Sequence, residues 1–163
     1  MKTKEIVMTE EARCSECGQQ GRAVETLALK ALLRPDALAR LEVTASYCFC
    51  ASPSCAVVYF ADEVESIYHK ADLEVRVGLK ETDDPISLCY CFGHTRASVS
   101  EEIERTGNTP APASITAHIK AGRCGCDVNN PSGACCLGEV NKAVKKLKAA
   151  IERAGFPVKE NQP

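Results

Sequence analysis

The chain has 163 residues, a formal net charge of −2 and no tryptophan. Acidic and basic residues are interspersed, so no basic nucleic-acid face is expected, and no run approaches the length of a transmembrane span. With only four Phe and four Tyr, two small cores would be thin, and the eleven cysteines are candidates to hold them together.

The opening stretch MKTKEIVMTEEARC has no apolar segment of signal-peptide length, which predicts a cytoplasmic chain with reduced thiols. An odd number of cysteines suits disulfides poorly, so clustered thiols point to metal. Cys14, Cys17, Cys48, Cys50 and Cys55 form a first group; Cys89, Cys91, Cys124, Cys126, Cys135 and Cys136 form a second. The cysteine-free stretch between them predicts a boundary near residues 80–86. The expected organisation is a lobe over 1–82, a second domain over 83–155 and a tail over 156–163.

In the first lobe, CSECG reads as a tight knuckle and RAVETLAL as a short strand. LLRPDALARLE (32–42) reads as a helix with Pro35 in its first turn. SYCFC and CAVVYF are β-rich and flank the loop ASPS, and the alternation in LEVRVG (73–78) predicts one more strand. The second domain reads as helical. Thr95 is placed to cap a helix running through Ser98–Glu104 and ended by Gly107. NTPAPA reads as a loop, SITAHIKAG (114–122) as a short helix, and RCGCDVNNPSGACC as turn-rich. In the last helix Leu137, Val140, Val144, Leu147 and Ile151 repeat at steps of three and four, which gives one apolar stripe. Gly155 and Pro157 supply its stop, and VKENQP is expected to fray. The expected fold class is therefore α+β: a small zinc-ribbon-like β lobe, then a mainly helical domain with a long C-terminal helix.

Cys14-x2-Cys17 and Cys50-x4-Cys55 are two thiolate knuckles able to close a tetrahedron around zinc. A site without an open position is structural, and its binding energy becomes folding energy. Cys48 competes with Cys50 for the third place; Cys50 is preferred because its short loop to Cys55 resembles a second knuckle. A thioredoxin-like redox pair at Cys14 and Cys17 is set aside, because no βαβ context surrounds it.

Cys89 and Cys91 have four later partners, Cys124, Cys126, Cys135 and Cys136. Four thiolates suit a [2Fe–2S] cluster as well as zinc. Loops leading into helices favour the cluster, since N–H groups at helix starts stabilise its negative charge. The NNPSG turn (129–133) is expected to aim its N–H groups at the cysteines that follow. Cys89 and Cys91 are expected on a loop rather than a strand knuckle.

CYCFGHT, followed after about 33 residues by CDVNNPSGACC, resembles the N-terminal part of CopZ-type copper chaperones. CSEC, FCASPSCAVVYF and VRVGLKE match the same pattern, and the resemblance runs over roughly residues 12–140. It implies a zinc lobe packed against a helix-rich [2Fe–2S] domain similar to bacterioferritin-associated ferredoxin. By that match zinc falls on Cys14, Cys17, Cys50 and Cys55. The cluster falls on Cys89, Cys91, Cys126 and one of the adjacent pair, taken as Cys136 because neighbours at a helix start point about 100° apart. Cys48, Cys124 and Cys135 are then spare. Cys124 and Cys135 are expected near the cluster, where they would hold a soft ion such as Cu⁺ or oxidise together.

The resemblance implies metal homeostasis: one-electron transfer through the cluster in support of Cu(II) reduction to Cu(I), with zinc structural. No Met-x-Cys-x-x-Cys loop occurs in these residues, so a separate copper chaperone, metal transporter or redox partner is expected. No catalytic base, nucleophile pair or phosphate loop is apparent, and an electron-transfer or chaperone-type protein is expected rather than an enzyme. His69, His94 and His118 are scattered and read as surface residues, with His94 near enough to Cys91 to tune a cluster. The alternatives are a non-redox sensor or adaptor with two zinc sites, or a ferredoxin-like donor to an unrelated enzyme.

Overall fold

The computed structural model describes residues 12–61 and 65–155. Its first half is a four-stranded antiparallel sheet in the order β1-β2-β3-β4, formed by β1 (Arg22–Val24), β2 (Tyr47–Phe49), β3 (Val57–Ala61) and β4 (Ser66–His69). Two short helices, α1 (Thr26–Leu32) and α2 (Pro35–Leu38), lie in the chain between β1 and β2. Every residue of β3 is buried. Tyr59 and Ala61 join an aromatic core with Tyr47, Phe49, Tyr68, Leu29 and Leu73. Val57 and Phe60 instead pack with Cys14, Cys50 and Cys55. The central strand thus supports a hydrophobic core and a cysteine-lined one at once, with a register shift between Val57 and Tyr59 along its edge with β4.

Three local expectations change. RAVETLAL is a strand only over Arg22–Val24; from Thr26 the chain is helical, because Leu29 and Leu32 recur at helical spacing and are buried together. The expected helix over 32–42 shortens to the single turn of α2, although Pro35 does occupy its start. LEVRVG joins no sheet. Its backbone pairs with the 32–34 segment through Arg34 N–H to Asp72 O and Glu74 N–H to Leu32 O, both 2.8 Å, while Leu73 and Val77 enter the core. The strand that closes the sheet is SIYH, β4, where no strand is expected from the sequence.

The second half has a small hairpin, β5 (Ser87–Cys89) and β6 (His94–Thr95), followed by α3 (Arg96–Thr106), α4 (Ala111–Lys120), α5 (Cys126–Asn129) and α6 (Leu137–Arg153). Thr95 caps α3: its hydroxyl accepts from Ser98 N–H at 3.1 Å. Gly107 ends α3 at φ +83°, a left-handed conformation that glycine adopts without a Cβ clash. α4 starts three residues earlier than expected, at Ala111, since Pro110 and Pro112 sit at its start, where a missing N–H costs nothing. The α6 stripe packs on α3 and α4, with Val140 and Ile151 buried among Val99, Ile103 and Ile115. The tail over 156–163 lies outside the described residues, as does Pro157.

Candidate metal centres

The first knuckle closes where Gly18 N–H reaches Cys14 O at 2.8 Å and Cys14 N–H reaches Gln19 O at 2.9 Å, with Gly18 at φ +72°. The second is held by Cys50 N–H to Val58 O at 2.9 Å and Cys55 N–H to Ser52 O at 3.3 Å. Together they bring the sulfurs of Cys14, Cys17, Cys50 and Cys55 within 4.8 Å of one another. Cys14 and Cys55 are 3.9 Å apart, Cys17 and Cys50 3.6 Å. Zinc–sulfur bonds of about 2.3 Å require tetrahedron edges near 3.8 Å, so the donor set fits zinc in both chemistry and spacing. Cys48 lies on β2, outside this set.

The surroundings also suit a cation bound by thiolates. Burial pushes the Cys50 thiol up to about 12, and burial raises Cys55 as well. Cys17, at the exposed edge, is lowered to about 7, chiefly by the backbone N–H of Gln19. Cys50 and Cys55 hold their protons until a metal charge replaces them. Lys80 is 5% exposed, and its Nζ donates to Ser52 O at 2.7 Å and Cys55 O at 3.0 Å. It therefore fixes the loop between two of the cysteines while placing a positive charge beside them. His69 Nε2 lies 3.0 Å from Glu16 Oε1, within the first knuckle.

In the second half, Cys89 ends β5 and Cys91 follows on the hairpin turn, so this arm is a strand knuckle and not the expected open loop. Cys126 opens α5 and Cys136 caps α6. The sulfurs run as a string: Cys91 to Cys126 3.5 Å, Cys126 to Cys136 3.7 Å, Cys136 to Cys89 3.0 Å. Cys124 branches from it, 3.4 Å from Cys126. Cys135, expected beside Cys124, is exposed and outside the group. Burial pushes Cys136 up to about 12 and raises Cys126 further.

The NNPSG turn does not aim its N–H groups as expected. Ser132 N–H goes to Asn130 Oδ1, Ala134 N–H to Ser132 Oγ and Gly133 N–H to Asn130 O, so the turn satisfies itself. Donors that do face sulfur include Gly125 N–H and Asn129 Nδ2, 3.4 and 3.6 Å from Cys91 Sγ, and the backbone N–H of Cys136, which acts on Cys126. His94 pairs with Cys89 across the hairpin, and His118 stacks on Phe92, ring centroids 4.1 Å apart.

Three positioning residues escape sequence reasoning. Tyr59 Oη donates to Pro131 O at 2.6 Å, tying β3 to the turn ahead of Cys135 and Cys136. Tyr90, between Cys89 and Cys91, donates to Arg76 O at 2.9 Å and accepts from Gly78 N–H at 2.8 Å. Lys80 is the third. Tyr90 is conspicuous in the sequence only as the spacer between two cysteines; Tyr59 and Lys80 carry no local signal.

A family model described as a zinc binding domain, that of CopZ, matches residues 11–74. The copper chaperone CopZ of Archaeoglobus fulgidus is 34% identical over 146 residues, which is 90% of this chain and 63% of that protein. The chain thus spans less than two thirds of that relative's length. The X-ray structure of the N-terminal domain of A. fulgidus CopZ is similar with a TM-score of 0.62 at 32% identity, covering 90% of this chain and all of that one.

Proposed function

The chain belongs to the family of the CopZ N-terminal domain, and we propose that its metal handling combines a structural zinc with a [2Fe–2S] cluster used for one-electron transfer. Zinc would be held by Cys14, Cys17, Cys50 and Cys55, and the cluster by Cys89, Cys91, Cys126 and Cys136. The observation that carries the second assignment is the string of four sulfurs. Two metal centres, each taking two terminal thiolates, suit an elongated set, whereas one zinc wants four thiolates around a point.

When bound, such a cluster supplies a reversible one-electron carrier. The residues around it have separate tasks. Cys89 and Cys136 are buried within the apolar cluster of Val99, Ile103 and Val140, which keeps water from that end. Gly125 N–H and Asn129 Nδ2 stabilise negative charge on Cys91 sulfur. Cys91 and Cys124 are half-buried, so that side is open to a partner. The electron would support reduction of Cu(II) to the Cu(I) that a separate chaperone or transporter accepts. We place the boundary between the two metal-binding units near residue 82, with Lys80 still serving the first.

Cys89→Ser and Cys136→Ser test the assignment. Each is expected to abolish iron loading while the protein retains its zinc. Full iron loading in either variant contradicts it.

A further inference from the structure

The two halves leave between them a cleft of about 1050 Å³. The first half lines it with Arg22, Val77 and Leu79, and α6 lines it with Lys142, Lys146 and Arg153. It also runs past Leu88, Tyr90 and Cys135, the chain neighbours of Cys89, Cys91 and Cys136, so whatever sits in it lies against both cysteine arms. We propose that this cleft binds an acidic segment of a partner protein, anchored by an apolar side chain. The proposal goes beyond the metal assignments and does not depend on which metal fills the second centre.

Charge selects the occupant. Five cations line the cleft, Arg22, Arg96, Lys142, Lys146 and Arg153, against two carboxylates, Glu81 and Glu139: an excess of three positive charges on a chain of formal net charge −2. Both carboxylates are already committed, Glu81 to Arg76 at 3.0 Å and Lys70 at 3.5 Å, Glu139 to Lys142 at 3.3 Å. Arg96 is held by Asp84 at 3.1 Å. Among the described residues Arg22, Lys146 and Arg153 make no ion pair, and all three are exposed. Arg22 stands on β1 and the other two on α6, so an anionic chain in the cleft meets unpaired positive charge from both halves.

Shape and apolar lining choose among anions. The volume lies at the top of the usual small-molecule range of about 300–1,000 Å³, enough for several side chains of a peptide. Leu79 is 42% exposed, and with half-buried Leu88 and Leu147 it gives the cleft an apolar lining. A flat bilayer or a nucleic-acid backbone would meet the cations and leave that lining wet. An acidic segment with one apolar side chain covers both.

The test uses the full chain, zinc-loaded, and a fluorescein-labelled dodecapeptide with a central Leu-Phe pair flanked by glutamates, followed by anisotropy. The wild type is expected to bind it, less well as salt rises from about 0.05 to 0.5 M. Lys146→Glu and Arg22→Glu are each expected to weaken binding by about tenfold, and Leu79→Ser by a similar factor with the salt dependence kept. Lys145→Glu makes the same charge change on the same helix at a position that does not line the cleft, and is expected to leave affinity within about twofold. Absence of binding by the wild type, equal losses in Lys145→Glu and Lys146→Glu, or wild-type affinity in Leu79→Ser overturns the proposal. So does tighter binding to phosphatidylserine vesicles or to a single-stranded RNA dodecamer than to the peptide. Dimerisation through the cleft, or a gain of about tenfold when residues 156–163 are removed, assigns the cleft to the chain itself and also overturns it. Far-UV circular dichroism and zinc content establish that each variant is folded.

Discussion

The phenol of Tyr59, fully buried in the central strand of the zinc-binding half, donates to the carbonyl of Pro131, 2.6 Å away and 72 residues along the chain. Tyr90 makes the reciprocal link: it stands between Cys89 and Cys91 and is held by the backbone of Arg76 and Gly78. Tyr59 thus reaches the turn ahead of Cys135 and Cys136, and Tyr90 ties the hairpin back to the Arg76–Gly78 segment that leads into Lys80. The cysteine arms of the second centre are positioned by the fold of the first.

Tyr59→Phe removes one hydroxyl and leaves the buried Pro131 carbonyl without its donor. The expected cost is about 1–3 kcal/mol in denaturant unfolding. Metal at the second centre is expected to leave faster than in the wild type, with zinc content unchanged. Tyr90→Phe should act in the same direction but more weakly, because Tyr90 is less buried. Unchanged metal release in both variants would show that the clasp does not hold the second centre.

Zinc removal tests whether the first centre is structural. Among the described residues, Cys14, Cys50 and Cys55 pack with only Val57 and Phe60 as buried apolar partners, and Cys17 is exposed, which is too little core to hold the knuckles alone. Chelation is expected to lower the β signal in circular dichroism and, through Tyr59 and Tyr90, to loosen the second centre as well. Because burial keeps Cys50 and Cys55 protonated in the absence of metal, zinc binding near neutral pH releases protons, and affinity falls as pH falls. Calorimetry in buffers of different ionisation enthalpy measures that release.

Lys80 offsets charge at the same site. Four thiolates on Zn²⁺ leave a formal charge of about −2, and the buried ammonium lies against the loop between Cys50 and Cys55. Lys80→Met strips two carbonyls of a donor and removes the counter-charge, so zinc affinity is expected to drop by about ten- to a hundredfold. Chelator competition reads the change, and Lys80→Arg should recover part of it.

Gly78 lies where the two halves touch. A Cβ there would collide with the backbone carbonyl oxygen of Ser87, in the strand leading to Cys89. Gly78→Ala is expected to destabilise the chain by about 1–3 kcal/mol and to displace the N–H that Tyr90 accepts. Thermal unfolding together with metal analysis of the second centre measures both effects.

What could be read from the sequence follows the range of each signal. The apolar stripe of α6 and the Thr95 and Gly107 caps of α3 are local and periodic, and they appear where expected. Strands β2 and β3 are legible from their β-rich composition on either side of the ASPS loop. Short windows mislead: TLAL has strand-like composition, but burial of Leu29 with Leu32 makes it helical. The alternation of LEVRVG is real, yet Leu73 and Val77 use it to reach the core while the backbone pairs with residues 32–34. The cysteine spacings suggest which thiols might meet. They do not reveal Tyr59, Tyr90 or Lys80, whose partners lie 72, 14 and 25 to 28 residues away. Nor do they separate Cys124 from Cys135, which differ because one faces Cys126 and the other faces solvent.

The central claim is that the second centre carries a [2Fe–2S] cluster beside a structural zinc. Anaerobic purification of the full chain, with iron, sulfide and zinc counted and visible and EPR spectra recorded before and after dithionite, tests it most directly. The account predicts a red-brown protein with about two iron, two sulfide and one zinc per chain, bleached on reduction with a one-electron EPR signal. A colourless protein carrying two zinc per chain and no iron would contradict it.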